Sequence, residues 1–464
     1  MSQQDDFSND DPKLPLPLDL SKLRTLPVKL MIAGVLLAIV GVGAHVMRHG
    51  GADLVKQFGY AWLVAFMFCL SLGLGSLFLV IVHHLFDAGW SVATRRTCEH
   101  LASLLFPTLF VLWLPIGILA PKLYEWMGPK LQANPDHALA AKEILFNYKG
   151  FYLISIACFA VWWWFSNRLK YWSIKQDTAS EKGNPAKGFM RFLGVNQNDP
   201  GVLECTLQMR KFASFGVFFF AFSLTFGAIM WMKALHHQWF STMYGVCYFA
   251  GSVWLTLATV YVITMIMDRQ RILTEVLHEH QFYFLGSLLF AFTVFYAYVT
   301  FSQYFIIWNA NMPEETFYYV IREHGTWFLV SMVIIFGHFF APFLTLLRID
   351  VKQNITIMVP LAAWTWLMHF FDMAFQIWPY QYRAGFAILW AVVALGIISF
   401  MVGVLATVFL KMFNSAPPFP QKDPRLVEAM GLYHPVPTPI SGGELDQAEQ
   451  GTDHLIRPKT KGGH

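Results

Sequence analysis

The sequence predicts an all-α integral membrane protein with about ten transmembrane helices. Of its 464 residues, 56% are hydrophobic and only 13% are charged, whereas a soluble globular protein carries about 25% charged residues. Ten separate apolar runs are long enough to cross a bilayer, which takes about 20 residues. The formal net charge of +4 is small and unevenly distributed, so the composition gives no reason to expect a nucleic-acid partner.

The predicted helices are these apolar runs, taken in chain order. Their bounds are 29–47, 58–86, 100–121, 150–168, 211–233, 242–266, 281–308, 325–347, 355–378 and 386–412. The seventh run is longer than a bilayer requires, so we expect this helix to tilt or to protrude. The second run contains Ser71, Gly73 and Gly75, whose small side chains are spaced for close contact between helices.

Polar segments flank and divide the predicted helices. Residues 1–28 are polar and do not resemble a signal peptide, so we expect them to remain as a cytoplasmic N-terminal segment. A polar cytoplasmic loop at 169–210 separates helices one to four, within 29–168, from helices five to ten, within 211–412. Residues 413–464 are polar and rich in Pro and Gly, which predicts an extended cytoplasmic tail that lies on a partner.

The positive charges predict the orientation of the helices. Most of the 33 Lys and Arg residues fall in the two tails and in the loops on the same side of the membrane as the tails. Because Lys and Arg concentrate in cytoplasmic segments, both termini of this multi-pass chain are predicted to be cytoplasmic.

Cysteine and histidine spacing argues against a metal-ligated cofactor. The five cysteines are widely separated, without a C-x-x-C, C-x-x-C-H or ferredoxin-like run. We therefore expect no metal site, no iron–sulfur cluster and no covalently bound cofactor in this chain. A b-type haem would need two imidazoles at matched depth. His338 is expected about 6 Å deeper than His369, from a helical rise of about 1.5 Å per residue, which argues against that pairing.

A histidine and an aspartate lie one helical turn apart inside the apolar ninth run. His369, Asp372 and Gln376 follow at i, i+3 and i+7 on one helix face. An ionisable group in the middle of the membrane costs roughly 2.5–3.5 kcal/mol. Such groups are retained where they face the protein interior, pair with each other, or handle protons and polar ligands. This pair is therefore the leading candidate for a functional site.

The seventh helix presents a second polar face at a similar depth. Tyr296, Thr300 and Gln303 follow at i, i+4 and i+7, with Tyr304 next in the chain. If the two polar faces meet, they form a partly apolar pocket suited to a quinone headgroup. The His–Asp pair would then accept the proton of the quinol, because a carboxylate raises the basicity of an imidazole. Alternatively, the pair only joins two helices.

Other histidines are candidates for a proton path. His338 in the eighth helix either extends such a path inward or is a hydrogen-bonded packing residue. His83 and His84 end the second helix at its cytoplasmic edge beside Asp87. They are candidates for proton entry, although interfacial histidines are commonly just solvated.

Several motifs together resemble a known family of membrane subunits. The segment Phe301–Thr316 (FSQYFIIWNANMPEET) resembles a signature of the F subunit of bacterial alternative complex III, in the polysulfide-reductase membrane-subunit (NrfD-like) family. Further segments that match are Phe58–Tyr60 leading into Gly73–Ser76 with His83 and His84, Met368–Asp372, and Gln421–Leu426. The resemblance extends over essentially the whole chain.

The resemblance implies an architecture and a setting. The architecture would be two four-helix bundles, spans two to five and six to nine, flanked by the first and last helices. The setting would be the bacterial inner (cytoplasmic) membrane, in a respiratory complex that oxidises a quinol, menaquinol or ubiquinol, and reduces cytochrome c or another acceptor. The implied partners are a paralogous membrane subunit, an iron–sulfur protein, cytochrome c subunits and small membrane subunits, which hold the redox centres.

The resemblance leaves the role of this chain open. The chain binds a quinone, conducts protons through His338 to His369, or serves as a structural companion. We assign no catalytic residue from the sequence. Outside the family, the alternative is a secondary transporter, although neither an inverted repeat nor a broken-helix pair is evident.

Overall fold

The computed structural model describes residues 25–133, 135–180, 201–273, 276–277 and 279–430. Within these residues the chain is α-helical without a β-strand, and ten helices are long and apolar enough to span a membrane. The predicted fold class is therefore confirmed. The described spans are α1 (Thr25–His49), α2 (Leu54–Leu85), α3 (Gly89–Leu123), α4 (Tyr148–Thr178), α5 (Val202–Trp231), α6 (Tyr244–Arg269), α7 (Glu279–Ala310), α8 (Thr326–Leu346), α9 (Ile355–Ile377) and α10 (Ile388–Phe413).

The helices of residues 25–430 pack as two groups of four with an added pair. In the first group α2 packs against α3 and α5, and α4 packs against α5. In the second group α6 packs against α7 and α9, and α8 contacts both α7 and α9. The contact between α2 and α6 joins the groups, and the pair α1–α10 lies against α2. This arrangement is the one that the family resemblance implies.

Glycines set the closest helix contacts. A Cβ on Gly34 of α1 would lie 2.5 Å from the carbonyl oxygen of Gly396 in α10. A Cβ on Gly75 of α2 would lie 2.5 Å from the carbonyl oxygen of Ser252 in α6. The small-residue pattern predicted in the second span therefore serves the contact between the two four-helix groups.

The third span begins earlier than predicted. A helix at Val92–Ala102 precedes the apolar helix at Thr108–Leu123, and the 3-10 turn at Ser103–Leu105 joins them. The predicted bounds of 100–121 miss most of the first helix because it carries Arg95, Arg96 and Glu99, which lower its hydropathy. These three side chains are buried and paired in the folded chain.

The polar segments also differ from their predicted bounds. The loop predicted at 169–210 is shorter, because α4 continues to Thr178 and α5 begins at Val202. Residues 181–200 lie outside the described residues, as do 1–24 and 431–464. The tail was predicted to lie on a partner, but its described part packs on this chain. There the amide of Gln281 in α7 donates to the carbonyl oxygen of Ala429 at 3.0 Å.

α8 is not a regular helix. It is α-helical over Thr326–Val333, π-helical over Ile334–Phe340 and α-helical again over Ala341–Leu346. A π-helical turn holds more residues than an α-helical turn, so it changes which side chains face a neighbour, and such turns are frequent at functional sites. Gly337 lies in this segment against Met368 of α9, where a Cβ would overlap the thioether. Its carbonyl oxygen accepts from the indole of Trp364 at 2.8 Å.

Candidate functional site

Three ionisable side chains meet in the interior of the second helix group. His338 of α8 and His369 and Asp372 of α9 each offer one polar atom, and these atoms lie within 4.8 Å of one another. Their exposed fractions are 0%, 0% and 2%. We call these three residues the central cluster. The sequence predicted the pairing of His369 with Asp372 and expected His338 about 6 Å deeper, but it did not predict that all three side chains meet.

Asp372 is held by two of the residues that the sequence identified. Its Oδ1 accepts from the hydroxyl of Tyr296 at 2.6 Å and from the amide Nε2 of Gln376 at 2.9 Å. Its Oδ2 is buried without a hydrogen-bond partner. The predicted meeting of the polar faces of α7 and α9 therefore occurs at Tyr296.

His369 connects the central cluster to the first helix group. Its Nε2 lies 3.0 Å from Ser71 Oγ in α2. The Ser71 hydroxyl donates to the carbonyl oxygen of Met67 at 3.0 Å, so its lone pairs accept from His369 Nε2–H. His369 Nδ1 is then the unprotonated nitrogen, and it is buried without a partner. A Cβ on Gly251 would lie 3.5 Å from this nitrogen and 3.6 Å from Asp372 Oδ2.

His338 is held between two aromatic rings. Its ring centroid lies 3.8 Å from that of Trp254 and 4.0 Å from that of Tyr296, with both pairs stacked. Neither ring nitrogen of His338 has a hydrogen-bond partner. Trp254 is itself fixed by its indole N–H, which donates to Thr293 Oγ1 at 2.8 Å. The imidazole is thus positioned by stacking alone, with both nitrogens in the ring plane left free to bond.

The remaining predicted residues of the seventh helix follow Tyr296 along α7 and are not hydrogen-bonded to Asp372. Gln303 Oε1 lies 3.7 Å from the thiol of Cys247, which donates to it. The hydroxyl of Tyr304 donates to Glu323 at 3.3 Å near the exposed rim, so Tyr304 does not bond to the central cluster. Thr300 lies one turn beyond Tyr296, with its hydroxyl oxygen buried.

The histidines at the other end of α2 are buried rather than solvated. His83 is 2% exposed and His84 is fully buried. His83 Nδ1 lies 2.6 Å from Ser91 Oγ, and its Nε2 lies 3.2 Å from the guanidinium of Arg95. Asp87 is partly exposed and pairs with Arg210 and Arg425. Of the three predicted proton-entry residues, Asp87 alone is partly exposed.

A layer of ion pairs covers His83 and His84. Asp423 of the tail bonds to Arg95 of α3, and its Oδ1 lies 2.9 Å from Arg425 Nε. Arg96 pairs with Asp177 of α4 at 2.5 Å. Burial by itself raises the pKa of the Asp423 carboxyl, but the charges of Arg95 and Arg425 outweigh burial and hold that pKa below its ordinary range. We call this set of residues the charged layer.

A buried arginine that the sequence motifs did not single out lies near the central cluster. Arg322 lies in the short helix Pro313–Glu323 and is 1% exposed. Its guanidinium donates to the carbonyl oxygens of Phe375 at 3.1 Å and Gln376 at 3.0 Å, and it lies 3.5 Å from the ring centroid of Tyr318. The signal available in the sequence was the amphipathic pattern of that helix, which begins at Pro313 with two glutamates in its first turn.

The donor set of the central cluster resembles that of a transition-metal site. Two imidazoles and a carboxylate are ligands that zinc accepts. The three ligand atoms lie within 4.8 Å of one another, and bonds to zinc are about 2.0–2.2 Å long. The same free lone pairs also fit a proton or a water molecule.

No protein-family model and no curated protein matches this chain. The description of the fold and of the central cluster therefore rests on the structure alone. The family remains a prediction from the sequence motifs.

Proposed function

We propose that this chain is a membrane subunit of a respiratory quinol:electron-acceptor oxidoreductase, and that its central cluster transfers protons. The resemblance of the motifs to the F subunit of alternative complex III supports the complex. The central cluster supports the proton role. On this proposal the chain has no redox cofactor of its own.

The observation that carries the proton role is the set of unbonded polar atoms in the central cluster. Both nitrogens of His338, His369 Nδ1 and Asp372 Oδ2 are buried without a partner. Leaving a buried polar atom unbonded costs about 1–3 kcal/mol. Four such atoms in one place are a large cost for a contact that only joins helices. Atoms that accept and release a proton, directly or through one water molecule, account for that cost.

The geometry gives each residue a role in moving a proton. Ser71 holds His369 in the tautomer whose Nδ1 accepts. Tyr296 and Gln376 hold Asp372 through Oδ1, which leaves Oδ2 to carry the proton. His338, His369 and Asp372 make no direct hydrogen bond to one another, and polar atoms within 4.8 Å of one another can be bridged by one water molecule. His338 completes the group because stacking orients its ring without occupying either nitrogen.

Proton transfer fits the central cluster better than direct binding of a quinone headgroup does. Both faces of the His338 imidazole are occupied by Trp254 and Tyr296. The hydroxyl of Tyr296 and the amide of Gln376, which a quinone carbonyl would need as donors, are already bonded to Asp372. A headgroup at this place would have to break those bonds. In the proposed complex, a quinone (menaquinone or ubiquinone) would bind elsewhere on this chain.

The test is the variant Asp372→Asn in the whole complex, reconstituted in proteoliposomes. An amide cannot take up the proton, so we expect fewer protons moved per electron, and quinol oxidation that persists when an uncoupler collapses the gradient. Asp350→Asn is the matched control, because Asp350 is an exposed aspartate in a surface pair with Arg348. An unchanged proton-to-electron ratio in Asp372→Asn would contradict the proposal. An unchanged ratio together with a raised KM for quinol would assign the central cluster to quinone binding instead.

The proposal also includes a location and an orientation. We place the chain in the bacterial inner membrane with both termini cytoplasmic, beside a paralogous membrane subunit, an iron–sulfur protein, cytochrome c subunits and small membrane subunits. The distribution of Lys and Arg supports this orientation. Labelling of a cysteine introduced at Ser415 by an impermeant reagent in inside-out vesicles, but not in intact cells, is the expected result.

A further inference from the structure

A line of polar side chains leads away from the central cluster along α7, towards the C-terminal end of that helix. Its four members on α7 follow one another over about 12 Å, at a rise of about 1.5 Å per residue, and they are Tyr296, Thr300, Gln303 and Tyr304. The hydroxyl of Tyr296 donates to Asp372 Oδ1 at 2.6 Å, which attaches the line to the cluster. Polar side chains inside a membrane span are costly, and they are retained where they pair or where they handle protons and polar ligands.

The part of the line next to the central cluster has unbonded oxygens. The hydroxyl oxygen of Thr300 is buried without a completed hydrogen bond, although the side chains of Tyr296 and of Cys247 in α6 are within reach of it. Oε1 of Gln376, whose amide nitrogen bonds to Asp372, is also buried and unbonded. Buried polar atoms are commonly satisfied by an ordered water molecule. We therefore expect water beside Thr300.

The outer part of the line reaches the surface. Cys247 Sγ lies 3.7 Å from Gln303 Oε1. The hydroxyl of Tyr319 is within hydrogen-bonding reach of the Gln303 side chain, and its ring packs edge-on against that of Tyr304, with 5.1 Å between the centroids. The Tyr304 hydroxyl donates to Glu323 Oε1 at 3.3 Å. Because Glu323 is exposed, the line ends at a carboxylate in contact with solvent.

The neighbouring end of α9 is covered by a fixed positive charge. The guanidinium of Arg322 donates to the carbonyl oxygens of Phe375 and Gln376. It lies on the ring of Tyr318, 3.5 Å from the centroid, and that ring stacks on Trp239 with 3.7 Å between the centroids. A fixed cation raises the energy of an excess proton beside it. The line along α7 is therefore the better route from the central cluster to this side of the molecule.

We propose that this line is the path by which protons pass between the central cluster and the surface at Glu323, an inference that rests on the proton role proposed above. We call it the α7 path, and its members are Tyr296, Thr300, Cys247, Gln303, Tyr319, Tyr304 and Glu323. Each hydroxyl accepts a proton from one side as it gives its own to the next group or water molecule. Each passage moves one proton between Asp372 and solvent and moves no electron, so the hydroxyl groups end as they began.

The experiment measures the proton-to-electron ratio of the whole complex in proteoliposomes, at saturating and at limiting quinol. The variant Thr300→Val keeps the shape of the side chain and removes the hydroxyl, so proton passage should slow by about tenfold. We expect a lower ratio at saturating quinol. The ratio should recover when quinol limits turnover, because a slow path then keeps pace with the electrons. Gln303→Met, which removes the amide further along the path, should behave in the same way.

Two threonine variants are the matched controls. Thr300→Ser keeps the hydroxyl and should have the ratio of the wild type. Thr264→Val removes another buried hydroxyl, which donates to the carbonyl oxygen of Val260 in α6 at 2.8 Å, and it should also leave the ratio unchanged. A fall in Thr264→Val as large as that in Thr300→Val would overturn the assignment, because the effect would then not be specific to the path.

The variant Asp372→Asn separates this inference from the proposed function. Its ratio should be low at both quinol concentrations, since the cluster itself has lost its proton carrier. A ratio like that of the wild type in Thr300→Val and Gln303→Met, with a low ratio in Asp372→Asn, would overturn the α7 path and leave the proton role of the cluster in place. Ratios like that of the wild type in all three variants would overturn both. A ratio in Thr300→Val that stayed low at limiting quinol would place Thr300 in the cluster itself and also overturn the path.

Discussion

His338 shows how a single residue can be tested for function apart from packing. The variant His338→Phe keeps an aromatic ring between Trp254 and Tyr296 but removes both ring nitrogens. We expect the thermal midpoint of the complex to change little, because the aromatic contacts are retained. We expect the proton-to-electron ratio to fall, because the central cluster loses a proton acceptor.

His338→Ala is the comparison for that variant. It removes the stacked ring as well, so it should lower both the thermal midpoint and the proton-to-electron ratio. If His338→Phe moved protons as the wild type does, His338 would be a packing residue. The sequence left that alternative open.

Burial of the Lys233 amine should make the stability of the folded chain depend on pH. Lys233 follows α5 and is 6% exposed. Burial, and then the neighbouring charge of Lys142, lower its pKa to about 7. An unfolded lysine has a pKa of about 10.4, so folding expels a proton between about pH 7 and 10.4, and stability rises with pH across that window. Below about pH 7 the full cost of charging the buried amine is present.

The variant Lys233→Met should therefore have a higher thermal midpoint than the wild type at pH 7. The difference should shrink as the pH rises towards 10. Thermal unfolding of the complex over this pH range is the measurement. Lys122→Met, at an exposed position, should change the midpoint little. A difference for Lys233→Met that stays constant with pH would show that lost packing, rather than charge, determines the result.

At the scale of helices, the contact between α2 and α6 depends on small side chains. A Cβ on Gly75 would lie 2.5 Å from the carbonyl oxygen of Ser252. The variant Gly75→Ala must push the two helices apart, which typically costs about 1–3 kcal/mol. We expect a lower thermal midpoint for the complex.

Gly43→Ala is the matched control for that change. Gly43 lies in α1, and a Cβ there would have no atom within 4 Å, so alanine should be tolerated or stabilising. If Gly75→Ala were as stable as Gly43→Ala, the helix contact would be looser than the structure describes.

The helices also show where sequence periodicity stops being informative. In α9 the α-helical period placed His369, Asp372 and Gln376 on one face, and Asp372 and Gln376 are hydrogen-bonded there. In α8 the segment Ile334–Phe340, which contains His338, is π-helical, so the α-helical period does not describe its faces. A π-helical turn arises from packing against neighbouring helices, so no local pattern predicts it. Ser71 was predicted as a packing residue, and its bond to His369 depends on the contact between α2 and α9.

At the scale of the whole molecule, the tail is fastened to the helices by the charged layer. The variant Asp423→Asn removes the carboxylate that Arg95 and Arg425 share. Loss of one partner from a buried ion pair typically costs about 3–5 kcal/mol. The expected result is a markedly lower thermal midpoint at neutral pH. Asp350→Asn, in an exposed pair with Arg348, should leave the midpoint unchanged.

The same variant has a defined pH dependence. The pKa of Asp423 is lowered in the folded chain, so its contribution is fully present above the ordinary value of about 3.9 and is lost as the pH falls through the folded value. The wild type and Asp423→Asn should therefore differ throughout the neutral range and converge only in strong acid. Equal midpoints at pH 7 would show that the tail does not need this ion pair.

The amino-acid sequence by itself determined the spans and the faces of regular helices. Apolar run length decides whether a segment can cross a bilayer, and helical period decides which side chains share a face, so both are local properties. The tertiary structure alone decided that His338 joins His369 and Asp372, that Ser71 sets the tautomer, and that Arg322 lies buried against α9.

It also decided that Asp423 neutralises Arg95, which is 328 positions earlier in the chain. Such pairing explains why the third span begins earlier than predicted. Charged side chains make a segment polar in the sequence, but they can be buried in the fold once they are paired. Which faces meet depends on the packing of all the helices together, and that is information no single segment contains.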